Sequence, residues 1–178
     1  MEAVETPIKH EPQKLAAYLD KLPESIRPTI EALRDTFPRV LSDLNRRGAL
    51  VAVGGAVDKS WPRKDIDFIV AVEEKEGDPK RADFPDRLAY ATEDFKITER
   101  IVRSLFEGKD EMRFESLPPQ MDYEFENPNI LGFDGSVTVR SDDLPVPMEF
   151  IRSSQEGEGI SVGSIVNGPY VILSSSYG

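Results

Sequence analysis

The chain has 178 residues, 31% of them charged and 39% apolar, a balance that fits one globular domain with a sizeable core rather than a disordered or membrane chain. A formal charge of −11 disfavours long nucleic acid as an obligatory partner, because backbone phosphates demand a continuous basic surface. The absence of cysteine and a single histidine, His10, exclude disulfides, thiolate metal centres and zinc sites built on several histidines.

No apolar stretch approaches the roughly 20 residues that span a bilayer. The acidic start, Met1-Glu2-Ala3-Val4-Glu5, lacks the basic and apolar regions of a signal peptide. The expectation is a cytoplasmic protein with no membrane contact. After a polar start, Leu15, Ala16, Leu19 and Leu22 recur at helical spacing between Gln13 and Leu22. A second helical region runs from about Pro28 to Arg47 with a break near Phe37-Pro38. Its apolar face is Ile30, Leu33, Val40, Leu41 and Leu44. Arg46 and Arg47 suit the negative helix end, and Gly48 reads as the stop.

A strand then spans Ala49 to Val53 and turns at Gly54-Gly55. A helical turn near Val57 to Ser60 precedes a strand from Ile66 to Val72. The second strand is apolar on both faces beyond Asp67, as a covered central strand should be. Glu73 to Asp83 reads as an exposed loop. Asp83-Phe84-Pro85-Asp86 opens a helix to about Glu107, with Leu88, Ala91, Phe95, Val102 and Leu105 inward and Gly108 as terminator. The remainder reads as short strands: Met121 to Phe125, Ile130 to Phe133, Val137 to Arg140, Val146 to Ile151, Ile160 to Ile165 and Tyr170 to Leu173. Asp134-Gly135 serves as a hairpin turn. The fold class expected is α/β (α+β): a small mixed sheet with helices mainly on one face. One domain covers 1–178, divided into a helical segment 1–48, a catalytic core 49–152 and C-terminal strands 153–178.

The chemistry concentrates between Leu50 and Val72. Glycines at a strand-to-helix turn let a ligand approach the backbone, whose free N–H groups receive phosphate oxygens. Asp65 and Asp67 are two apart and share a face of the strand, while Ile66 points into the core. Paired carboxylates repel unless a cation sits between them, and Mg²⁺ binds one or two carboxylates together with substrate phosphates. Two such ions, about 3.5–4 Å apart, activate an attacking hydroxyl and stabilise a leaving pyrophosphate, with a third carboxylate completing the site. Glu149, between the core-facing Met148 and Phe150, fits that role. Asp122 and Glu124 alternate in the same way and remain competitors. The plain alternative for Glu149 is an exposed strand residue paired with Arg140 or Arg152. Gly54, Gly55, Lys59, Ser60, Arg63 and Lys64 are candidates to hold a triphosphate. Together with Arg46 and Arg47, these cations suit a small anionic ligand. Trp61, beside Pro62, reads as packing the loop down, with base stacking as the alternative, and His10 reads as inert.

These residues resemble the signature of the DNA polymerase β-like nucleotidyltransferase superfamily: an apolar residue, Gly-Gly or Gly-Ser, a spacer, then Asp-x-Asp. Gly54, Gly55, Asp65 and Asp67 match, with nine residues between Gly55 and Asp65. Gly54-Gly55-Ala56-Val57 is also similar to the tRNA-terminal nucleotidyltransferases, although Asp58-Lys59 stands where that family has Arg-Asp. Gly55 in place of serine leaves phosphate binding to backbone amides. The resemblance implies an enzyme that moves a nucleoside monophosphate from an NTP to an acceptor hydroxyl and releases pyrophosphate. It implies two Mg²⁺ ions, with Mn²⁺ as a substitute, on Asp65, Asp67 and Glu149. The acceptor expected is a small molecule or protein, with a tRNA or RNA end left open. The alternative function is an inactive nucleotide-binding or protein-interaction module of the same fold.

Overall fold

A computed structural model describes residues 13–54, 57, 64–109, 111–119, 133–153 and 168–176. Among them the fold is α+β, with three α-helices and a mixed six-stranded sheet. The helices are α1 (Leu15–Lys21), α2 (Arg27–Asp43) and α3 (Arg87–Leu105). The strands are β1 (Gly48–Val53), β2 (Ile66–Val72), β3 (Arg113–Leu117), β4 (Phe133–Arg140), β5 (Met148–Ser153) and β6 (Tyr170–Ser175). Their order across the sheet is β3-β4-β5-β2-β1-β6, and only the β2–β5 pair is parallel.

Strand alternation sorts the apolar residues into two layers. Leu50, Ala52, Ile66, Phe68, Val70, Val139, Phe150 and Val171 face the helices and join Tyr18, Ile30, Phe37, Phe95 and Val102 in the main core. Phe68 and Phe150 stack across the parallel pair at 5.1 Å, and Phe106 meets Phe150 edge-on at 5.9 Å. The other face carries a smaller cluster of Ala49, Val51, Val53, Ile69, Ala71, Ile151 and Tyr170. Both faces of β1 and β2 are therefore buried, which explains their unbroken apolar runs. Among the described residues, no helix is long and apolar enough to cross a membrane.

Four local expectations change. Helix α2 runs without interruption through Pro38, because Phe37, Val40 and Leu41 around the proline are buried and their packing outweighs one missing hydrogen bond. It stops at Asn45 rather than Gly48. Asn45 has φ +54°, and the N–H groups of Asn45 and Arg46 donate to Ser42 O and Leu41 O, a Schellman closure. Gly48 instead opens β1, where an added Cβ would collide with Ala71 O. Asp134-Gly135 is not a hairpin turn but part of β4: Gly135 has φ +104°, and the β4–β5 register slips between Phe133 and Ser136, as at a glycine bulge. Finally, β3 has too little apolar character to be read as a strand, and it exists as an edge through its ladder to β4. Helix α3 starts as expected, with Asp86 Oδ1 accepting from Ala89 N at 2.8 Å. The strand candidates at Met121 to Phe125 and Ile160 to Ile165 lie outside the described residues, as does most of Ile130 to Phe133.

Candidate functional site

β2 occupies the middle of the sheet, between β1 and the parallel strand β5. In this register Val53 lies opposite Asp67 on one side and Glu149 lies opposite Asp67 on the other. Ile66 is fully buried on the helix side, so Asp67 and Glu149 share the opposite face. Asp65 immediately precedes β2 and is exposed. The outcome is a convergence of acids from two strands some eighty residues apart. One carboxylate oxygen from each of Asp65, Asp67 and Glu149 lies within 4.8 Å of the other two.

This arrangement is electrostatically costly. Asp67 is pushed up to about 8, first by burial, then by the charges of Asp65 and Glu149 and by a hydrogen bond shared with Glu149. Its Oδ1 is buried and, among the described residues, has no hydrogen-bond partner. A cation answers both problems: it offsets the repulsion and gives the orphaned oxygen a ligand. Three carboxylates with no nitrogen or sulfur donor form the set preferred by hard divalent ions such as Mg²⁺ or Mn²⁺. The cluster can therefore hold a metal ion.

Gly54 follows Val53 directly, is buried, and has φ +82°. Its carbonyl accepts from Val57 N at 3.1 Å, which folds the chain back after β1 as a strand-to-helix turn requires. Lys64 is exposed beside Asp65. Gly55, Lys59, Ser60 and Arg63 lie outside the described residues, as do the competing acids Asp122 and Glu124, together with Trp61 and His10.

Arg46 and Arg47 do not join the site. Arg46 forms a forked, nearly buried ion pair with Asp78, and Arg47 pairs with Glu73 at 2.6 Å. Both precede the first residue of β1, about 17 Å of strand away from Val53. The proposed partners of Glu149 are also engaged elsewhere. Arg140 Nε lies 3.6 Å from Glu115 Oε2, and Arg152 Nη2 meets Asp94 Oδ2 at 2.5 Å on the helix side.

One neighbour escaped the sequence. Thr138 stands opposite Glu149 on β4, extending the row Val53, Asp67, Glu149, Thr138 and Glu115 across the sheet. Alternation with Val137 and Val139 marks its face, but only the strand pairing names its partner. No family model matches this chain, and neither a curated protein nor a solved structure matches it.

Proposed function

We propose that the protein is a metal-dependent nucleotidyltransferase that moves a nucleoside monophosphate from an NTP onto an acceptor hydroxyl. The observation that carries this reading is the convergence of Asp65, Asp67 and Glu149 around one point, with a buried Asp67 oxygen left unpartnered among the described residues. Beside them sits the left-handed turn at Gly54.

Asp67 is the central ligand, since it stands opposite Glu149 across the β2–β5 pair and two residues from Asp65. Asp65, exposed at the mouth, and Glu149, on the neighbouring strand, complete the donor set. Mg²⁺ bound there supplies Lewis acidity that lowers the acceptor hydroxyl's pKa and offsets charge on the triphosphate. In the overall change, a bond forms between the acceptor oxygen and the α-phosphorus. The bond from that phosphorus to the bridging oxygen of pyrophosphate breaks, and the acceptor's proton passes to Glu149 or to water. Lys64, with Lys59 and Arg63, would bind the departing polyphosphate.

The test incubates the full chain with each α-labelled NTP and Mg²⁺, with and without cell extract, beside Asp65→Asn, Asp67→Asn and Glu149→Gln. Label transfer that all three variants abolish is the expected result. Mg²⁺-dependent NTP binding without transfer would instead favour a binding module. Transfer that survives in Asp67→Asn would overturn the reading.

A further inference from the structure

Beyond Glu149, the carboxylate face of the sheet carries two arginines. Thr138 and Arg140 alternate with the buried Val137 and Val139, so they share the face of Glu149. On β3, Phe114 turns towards the helices, 6.2 Å from Phe106 and with Arg103 over its ring at 4.8 Å. Arg113 and Glu115 therefore point to the carboxylate side. Arg113 stands directly opposite Arg140 in the ladder. Because β4 is antiparallel to β5, Arg140 lies at the end of the sheet where β5 begins, the same end as Asp65. Two residues along and one strand across puts its Cα about 8 Å from that of Glu149.

Like charges placed directly opposite each other in a ladder destabilise it. Among the described residues their compensation is thin. Arg140 reaches Glu115 at 3.6 Å and Arg113 reaches Asp142 at 3.5 Å, and the two acids are 67% and 83% exposed. Ion pairs so open to solvent contribute little, and a better anion displaces them readily. A guanidinium fork matches phosphate in a bidentate manner, and two forks side by side match a dianion. In a chain of net charge −11, this doublet is an anomaly that an anionic ligand would explain.

We infer that Arg113 and Arg140 bind the acceptor, and that the acceptor is a hydroxyl compound carrying a phosphate monoester. The word acceptor rests on the transferase reading; the phosphate site does not. The first arm of the test therefore leaves out metal and NTP. The full chain is titrated with inorganic phosphate in EDTA, followed by ³¹P line broadening and thermal shift. Saturable binding is expected, weakened about tenfold by Arg113→Gln or Arg140→Gln and lost in the double variant. Arg140→Lys, which keeps the charge but not the fork, falls between. Circular dichroism checks that each variant is folded. Wild-type protein without saturable binding, or a double variant that binds like wild type, overturns the site.

The second arm uses label transfer to cell extract. Extract stripped of monoesters by an immobilised phosphatase loses its acceptor activity, and the double variant transfers less to untreated extract while binding NTP normally. Label in the small-molecule or protein fraction then identifies the source of the monoester. Undiminished transfer in either case refutes the acceptor role. If no protein transfers label while the phosphate arm holds, the transferase reading fails and the anion site stands.

Discussion

Replacing Asp67 with asparagine should make the metal-free protein more stable, an unusual outcome for a half-buried strand residue. Asparagine keeps the shape and donates a hydrogen bond to Glu149, but it removes a charge from a cluster whose oxygens lie within 4.8 Å. At that separation and an effective dielectric constant near 20, each like-charge pair costs about 3 kcal/mol. Asp65 is exposed, and solvent screening reduces its share to below about 1 kcal/mol. The wild type avoids part of this cost by keeping a proton on Asp67, whose pKa is raised from 3.8 to about 8. The folded protein holds that proton more tightly than the unfolded chain, so wild-type stability falls as pH rises from about 4 through about 8. The asparagine variant has no such slope. Its advantage should therefore be small near pH 5 and reach about 3–4 kcal/mol by pH 8.5, or roughly 6–16 °C in Tm for a chain of this size. Calorimetry in EDTA at three pH values measures it. With Mg²⁺ at 100 times its Kd, the wild type should gain about 2.7 kcal/mol and the variant almost nothing. A variant less stable than wild type at every pH, or a difference that does not change with pH, would show that Asp67 is a satisfied structural carboxylate and not a strained ligand.

Metal binding should displace the Asp67 proton. Below pH 8, Mg²⁺ should release up to about one proton per ion in calorimetry in buffers of different ionisation enthalpy, and its apparent affinity should rise with pH to a plateau above 8. The buried Asp94–Arg152 pair should behave asymmetrically: Asp94→Ala leaves a buried guanidinium without that partner and costs about 3–5 kcal/mol in chemical denaturation, whereas Asp94→Leu combined with Arg152→Met recovers most of the loss. Gly48→Ala forces a Cβ against Ala71 O and should cost about 1–3 kcal/mol by distorting the start of β1, with little effect on Mg²⁺ binding at the far end of the strand. Pro38→Ala, which restores a helical N–H inside α2, should stabilise the protein by about 1 kcal/mol or more in urea denaturation.

Alternation along a strand is a property of the local backbone, and on that ground the sequence alone placed Ile66 inward, Asp65 and Asp67 together, and Glu149 between two core residues. The 3.6-residue period likewise announced α3, opening at Asp83-Phe84-Pro85-Asp86, and the paired glycines announced the turn after β1. The approach of Glu149 to Asp67 is a different kind of fact. It depends on β5 pairing in parallel with β2 in one register out of several, and that choice is made when Phe68 and Phe150 stack beneath the sheet and bury their faces against α3 and Phe106. The same non-local pairing drew β3, a strand with almost no apolar signal, onto the edge and set Arg113 against Arg140. It also gave Arg46 its partner, Asp78, from the far side of β2 in the chain. Periodicity thus decided which face each acid occupies, while only burial of the shared core decided which acids meet, because contacts between distant segments are selected by the area they hide from water and leave no mark on the spacing of either segment.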